Sequence, residues 1–146
     1  MKKKRSAGDN IKVGNSSWTF SGNVAQNFDN HISKSVPYYN WSHQLGLNIS
    51  DFFLKNNSNV YDIGCSTGSF LGLLSKRHPK KNIKYYGIDE IKNMIIWAKK
   101  KNKNKKINFL NKNILDYKFK KSEFITSFYT MQFIPPAKRQ IIFNKI

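Results

Sequence analysis

One stretch of the chain constrains its fold more than any other: Val60-Tyr61-Asp62-Ile63-Gly64-Cys65-Ser66-Thr67-Gly68-Ser69-Phe70, followed by Tyr85-Tyr86-Gly87-Ile88-Asp89-Glu90. Each half is a short apolar run close to an acid, and the space between them fits a glycine turn and a helix. That is the signature of buried parallel strands joined by a crossover. Gly64 and Gly68 let the backbone turn sharply and approach a ligand with no Cβ in the way. Asp89 comes 25 residues after Gly64, where an open α/β sheet places a carboxylate against the hydroxyls of a ribose. The pattern predicts an adenosine-containing cofactor.

A chain of 146 residues is one domain at most. Residues 1–16 are basic and polar without periodicity and are expected to be a disordered tail. Residues 17–146 form the expected cofactor-binding domain, with an N-terminal helical lid over 17–55 and a sheet region over 56–146. Trp18, Phe20 and Phe28 are apolar enough to pack on that domain. From Pro37 the spacing of Tyr38, Trp41, Leu45, Ile49 and Phe52 predicts a helix. A second helix is expected over about 68–77, with Phe70, Leu71, Leu73 and Leu74 towards the sheet, and Pro79 ends it. A strand over 83–89 follows, then a helix over 91–101 that buries Met94, Ile95 and Ala98. The remaining elements are a short strand from Ile107, a strand over 124–133 and a last helix from Pro135-Pro136 to Ile146. This alternation predicts an α/β fold, a Rossmann-like doubly wound parallel sheet. Nothing after the fourth strand covers its far edge, so the sheet is expected to be incomplete at the C-terminus or completed by a partner chain, with a homodimer as one form.

The formal charge of +18 would attract nucleic acid non-specifically, tRNA included. Arg5, Arg77 and Arg139 are the only arginines, and the abundant lysine, asparagine and isoleucine fit a coding bias equally well. The run Lys99-Lys100-Lys101-Asn102-Lys103-Asn104-Lys105-Lys106 reads either as a solvated helix end or as a phosphate-binding patch. No apolar run approaches the roughly 20 residues that span a bilayer. The single Cys65 forms no internal disulfide, and a cytoplasmic setting is the default. His31, His43 and His78 show no metal-ligand spacing, so no metal site is expected.

The loop also selects among cofactors. A dinucleotide site calls for G-x-G-x-x-G, whereas here two glycines stand four apart with Asp62 two residues ahead. That carboxylate would repel a pyrophosphate and suit an ammonium or sulfonium charge, while the helix N-terminus suits a carboxylate. S-adenosyl-L-methionine carries that combination. The D-x-G-x-x-x-G loop with an acid ending the second strand resembles class I S-adenosylmethionine-dependent methyltransferases. The flanks narrow the likeness. Ser17-Trp18-Thr19-Phe20, Val24-Ala25-Gln26-Asn27-Phe28, Lys34-Ser35-Val36-Pro37-Tyr38-Tyr39 and Tyr129-Thr130-Met131-Gln132-Phe133 resemble the carboxy-S-adenosylmethionine synthase family.

The resemblance implies that prephenate supplies a carboxyl group to the methyl carbon of the cofactor, with loss of phenylpyruvate, giving carboxy-S-adenosyl-L-methionine for tRNA wobble-uridine modification. It makes Tyr39 a contact that closes over the ligand, and Gly64, Cys65 and Ser66 the loop at the methionine end. Asp89 and Glu90 would hold the ribose, and Asn113 and Ile114 the adenine. At Phe128 the family carries asparagine, so a polar ligand contact is lost there, and the family's arginine for the extra carboxylate lies beyond residue 146. Three readings stay open: the synthase, a general methyltransferase of unknown acceptor, and a truncated module that binds cofactor or RNA without catalysis. Methyl transfer needs chiefly alignment and exclusion of water, so the lack of an obvious catalytic acid or base is compatible with either enzyme.

Overall fold

A computed structural model describes residues 24–103 and 105–146. The expected tail, Trp18 and Phe20 lie outside the described residues. The elements are α1 (Val24–Ser35), α2 (Tyr39–Phe53), β1 (Asn59–Ile63), α3 (Ser69–Arg77), β2 (Lys84–Asp89), α4 (Lys92–Lys101), β3 (Ile107–Asn111), β4 (Phe124–Thr126) and α5 (Pro136–Phe143).

The four strands form one sheet in the order β3-β2-β1-β4, and every pairing is parallel. The chain steps outward from β1 through β2 to β3 and then returns to the other side of β1. That reversal opens a crevice beyond the carboxyl ends of β1 and β4, the place where open α/β sheets bind ligands. In register, Asp62 pairs with Gly87 and with Thr126, while Ile63 pairs with Ile88, one residue before Asp89. Both acids therefore reach the same edge of the sheet.

The core explains why the strands sit where they do. Val60, Tyr61 and Ile63 of β1 are buried together with Ile88 of β2, as a central strand flanked on both sides requires. Phe70, Leu71 and Leu74 of α3 and Met94, Ile95 and Ala98 of α4 close over the sheet. Each large aliphatic or aromatic side chain so buried contributes roughly 1.5–3 kcal/mol. Among the described residues no helix is long and apolar enough to cross a membrane.

The helix expected from Pro37 forms, and three other expectations change. Trp41, Leu45, Ile49 and Phe52 lie on this helix, with Tyr38 its left-handed cap, and the series faces outward, Phe52 being 87% exposed. The buried face of α2 is His43, Gly46, Leu47 and Ser50. A Cβ on Gly46 would lie 2.8 Å from Cζ of Phe128 and 3.1 Å from Phe70, so at that one position the helix packs too closely for a side chain. Leu73 is likewise exposed rather than turned to the sheet. The fourth strand is only three residues long. Tyr129 then adopts a left-handed backbone (φ 53°) and Met131–Phe133 form a 3-10 turn, which carries the chain across the crevice instead of along the sheet. A shorter correction concerns the last helix, which ends at Phe143 rather than Ile146.

Candidate cofactor site

The loop from β1 to α3 is built by backbone contacts. The N–H groups of Gly64 and Cys65 both donate to the Ile88 carbonyl, at 2.8 and 3.1 Å, and Gly68 N–H donates to Cys65 O. Gly64 has φ 70°, and a Cβ there would fall 2.1 Å from Thr130 Oγ1. Glycine is required twice over, by conformation and by the close approach of the β4 segment. Thr130 Oγ1 itself lies 3.1 Å from the carbonyls of Ile63 and Phe128, tying the two crevice walls together. Ser66 is also left-handed (φ 50°), and strain of that kind persists where the surroundings over-determine the backbone.

Asp89 is held by the same loop. Its Oδ2 accepts the Ser66 N–H at 2.9 Å and its Oδ1 accepts the Ile91 N–H at 2.8 Å. Burial raises its pKa, the two N–H groups oppose the rise, and Glu90 adds to it. The carboxylate is thus aimed by β2, the loop and the start of α4, with lone pairs left for further donors. Asn111 Nδ2 donates to the carbonyls of Asp89 and Glu90, which locks the ends of β2 and β3 together.

Asp62 is different. It is 3% exposed, accepts one hydrogen bond from Thr126 Oγ1 at 2.8 Å, and burial pushes its pKa up to about 7. It is therefore poised between neutral and charged near neutral pH, and a cation bound beside it would favour the charged form. Cys65 is buried, and its thiol pKa is raised well above the usual value by burial and by Asp62 and Asp89. That is the environment of an inert thiol, matching a backbone role in the loop.

The N-terminal helices roof this edge. Asp29 of α1 accepts hydrogen bonds from Thr67 Oγ1 (2.5 Å) and Ser69 Oγ (2.7 Å) and pairs with Lys101 at the end of α4. Burial works against its charge, yet the bonds from Lys101, Thr67 and Ser69 prevail and hold its pKa below the ordinary value. This network fastens α1 over the loop. On α2, Tyr39 and His43 stand one turn apart with ring centroids 4.4 Å from each other, and Tyr39 meets Tyr129 at 5.8 Å.

Together these parts enclose a cavity of about 490 Å³, within the roughly 300–1,000 Å³ of ordinary small-molecule sites. Tyr39, Asp62, Gly64, Cys65, Ser66, Asp89, Glu90, Asn113, Ile114 and Phe128 all line it. Gly68 is not among the lining residues: its φ of 70° and its packing 2.5 Å from Phe109, measured from a built Cβ, make it a joint between loop and sheet. Asn113 lines the cavity with its side-chain oxygen already accepting the Leu115 N–H at 2.8 Å, which leaves one lone pair for a ligand. Phe128 presents a ring, as its sequence position implies. Sequence reasoning missed Phe28, His43 and Met94 as lining residues. The four-residue spacing of Tyr39 and His43, which puts both on one helix face, is the signal that would have found the second.

The cavity suits S-adenosylmethionine on its own chemistry. An acid with free lone pairs stands at the end of β2, a Cβ-free loop and a titratable acid at the end of β1, and aromatic rings between. Among the described residues no cluster of three or more His, Cys, Asp or Glu side chains could hold a metal ion.

Comparison with known proteins bears on the same features. Residues 60–146 match the family described as a methyltransferase domain. The chain is 40% identical over 124 residues to carboxy-S-adenosyl-L-methionine synthase of Staphylococcus epidermidis, covering 84% of this chain and 54% of that protein. It is 38% identical over 129 residues to the synthase of Nautilia profundicola, covering 87% and 54%. The chain spans about half the length of the curated relatives it matches. In fold it is similar to a TehB-like SAM-dependent methyltransferase of Corynebacterium glutamicum, with TM-score 0.60 and 20% identity over 82% of this chain and 61% of that one. A SAM-dependent methyltransferase of Thiobacillus denitrificans, solved with S-adenosyl-L-homocysteine, is similar with TM-score 0.53 and 14% identity over 69% and 43%. With the family match running from β1 through α5, the chain belongs to the class I S-adenosylmethionine-dependent methyltransferase domains.

Proposed function

We propose that the cavity binds S-adenosyl-L-methionine and that the chain carries the donor-binding part of a transferase of the carboxy-S-adenosylmethionine synthase type. One observation carries the first half: Asp62, the Gly64 loop and Asp89 converge on one cavity, with Asp89 aimed into it by two backbone N–H groups. The second half is supported by the 38–40% identity to named synthases. When bound, the cofactor supplies an activated one-carbon group on a positively charged sulfur. Asp89 and Glu90 would take the ribose, Asn113 and Ile114 the adenine, and Gly64, Cys65 and Ser66 the amino-acid end. Tyr39, with α1 fastened by Asp29, excludes water from above. On this reading prephenate is the second substrate and the product serves tRNA wobble-uridine modification.

The apolar wall at Phe128 favours a second reading, a methyltransferase with another acceptor, because a carboxylated ligand gains nothing from a phenyl ring. Incubation with S-adenosylmethionine and prephenate, followed by mass spectrometry of the nucleoside, separates the two. A carboxylated nucleoside supports the synthase. Cofactor binding with no such product leaves the general methyltransferase.

A further inference from the structure

Three histidines lie among the described residues, all of them buried. Two have partners. His78 Nε2 is 2.9 Å from Ser50 Oγ, and His31 Nε2 is 3.3 Å from Ser35 Oγ. The third, His43, is 5% exposed, and among the described residues its imidazole makes no hydrogen bond. Tyr39, Phe128 and Phe70 surround it, with ring centroids at 4.4, 4.9 and 5.5 Å. The ring nitrogens of His43 are not among the fully enclosed polar atoms that lack a partner, which among the described residues are Tyr85 Oη and Ser127 Oγ, so they open onto accessible space rather than packed core. His43 lines the cavity, so a ligand is the available partner.

Neighbouring contacts show which part of a ligand it would meet. His43 packs on Phe128, and two residues further on Thr130 presses against Gly64. His43 therefore belongs to the Gly64 wall, whereas Asp89 and Asn113 build the other. Burial holds its pKa down at about 4, with Asp29 pulling it up and Lys101 pushing it down. The ring is neutral at neutral pH, and its unprotonated nitrogen accepts a hydrogen bond from a cationic donor without repelling it.

We infer that His43 accepts a hydrogen bond from the amino group at the amino-acid end of the bound cofactor, so that α2 reads that end as well as roofing the cavity. This rests on the S-adenosylmethionine reading above. The test is a calorimetric titration of the whole chain with two probes, S-adenosylhomocysteine and 5′-methylthioadenosine, which has the adenosine and sulfur but lacks the amino-acid end. His43→Phe keeps the ring and removes the acceptor. It should weaken S-adenosylhomocysteine about tenfold and leave 5′-methylthioadenosine unchanged. His43→Gln, whose amide oxygen accepts, should recover most of that loss. Equal binding of S-adenosylhomocysteine by wild type and His43→Phe overturns the role, and so does an equal loss of both probes, which would mark His43 as packing. A wild-type chain that binds neither probe overturns the cofactor reading itself, along with the role assigned to His43.

Discussion

The β1–α3 loop and the outer face of α2 end in opposite places from where their composition would send them. The loop is short and partly polar, yet Cys65, Thr67 and Asp62 beside it are buried and its backbone is bonded to β2. The outer face of α2 carries Trp41, Leu45, Ile49 and Phe52, with Tyr38 at its cap, and all five are exposed. The difference teaches that close approach decides burial here more than hydrophobicity does. Gly64 and Gly46 each admit a neighbour to within 3 Å of where a Cβ would stand, while Leu47 packs inside and Trp41 and Phe52 of the same helix stay in solvent.

That comparison breaks most visibly at Gly64. Gly64→Ala combines a left-handed backbone, costing roughly 1–2 kcal/mol for an L-residue, with overpacking against Thr130, which costs about 1–3 kcal/mol. Thermal unfolding should show both effects as a lowered Tm, and cofactor binding should be lost. An unchanged Tm would mean that the Thr130 segment yields freely, and that close approach does not set this wall.

Next in size is the inner face of α2. Leu47→Ala removes a side chain only 6% exposed and should cost about 2–5 kcal/mol by denaturant titration, with binding weakened only through stability.

Asp62→Asn sharpens the electrostatic side of the loop. The folded-state pKa of Asp62 is raised from 3.8 to about 7. Its contribution therefore favours the folded state at low pH and is lost as pH rises through about 7. The variant escapes that loss, so it should gain stability over wild type as pH increases from about 4 to 7, while binding S-adenosylmethionine more weakly at pH 8. Parallel stability profiles for the two proteins would show that the carboxyl does not titrate in this range.

The smallest effect is expected on the exposed stripe. Trp41→Ser and Phe52→Ser should each change stability by no more than about 0.5 kcal/mol. A loss comparable to that of Leu47→Ala would show that the stripe is covered in solution.

Much of the site was legible in the sequence because its signals are local. A glycine with no freedom to be replaced, and acids at the ends of consecutive apolar runs, fix the loop, the strand pairing and the cavity edge without knowledge of the rest. The faces of α2 were not legible, since periodicity identifies a helix and a stripe but not which stripe meets the core. His43, Gly46, Leu47 and Ser50 look like a solvent face until the Phe70 and Phe128 rings are set against Gly46. β4 misled for a related reason: the largely apolar stretch 124–133 reads as one strand, but Phe128 and Tyr129 are aromatic where they line a cavity. Asp29 escaped notice because its partners, Thr67, Ser69 and Lys101, come from distant parts of the chain.

The central claim is that Asp89 and the Gly64 loop form a cofactor site, and titration calorimetry with S-adenosylhomocysteine tests it most directly. Wild type should bind one equivalent, and Asp89→Asn should bind at least about tenfold more weakly, as expected for loss of a charged hydrogen-bonding partner. No heat from wild type at millimolar ligand, or equal affinity in the two proteins, would contradict it.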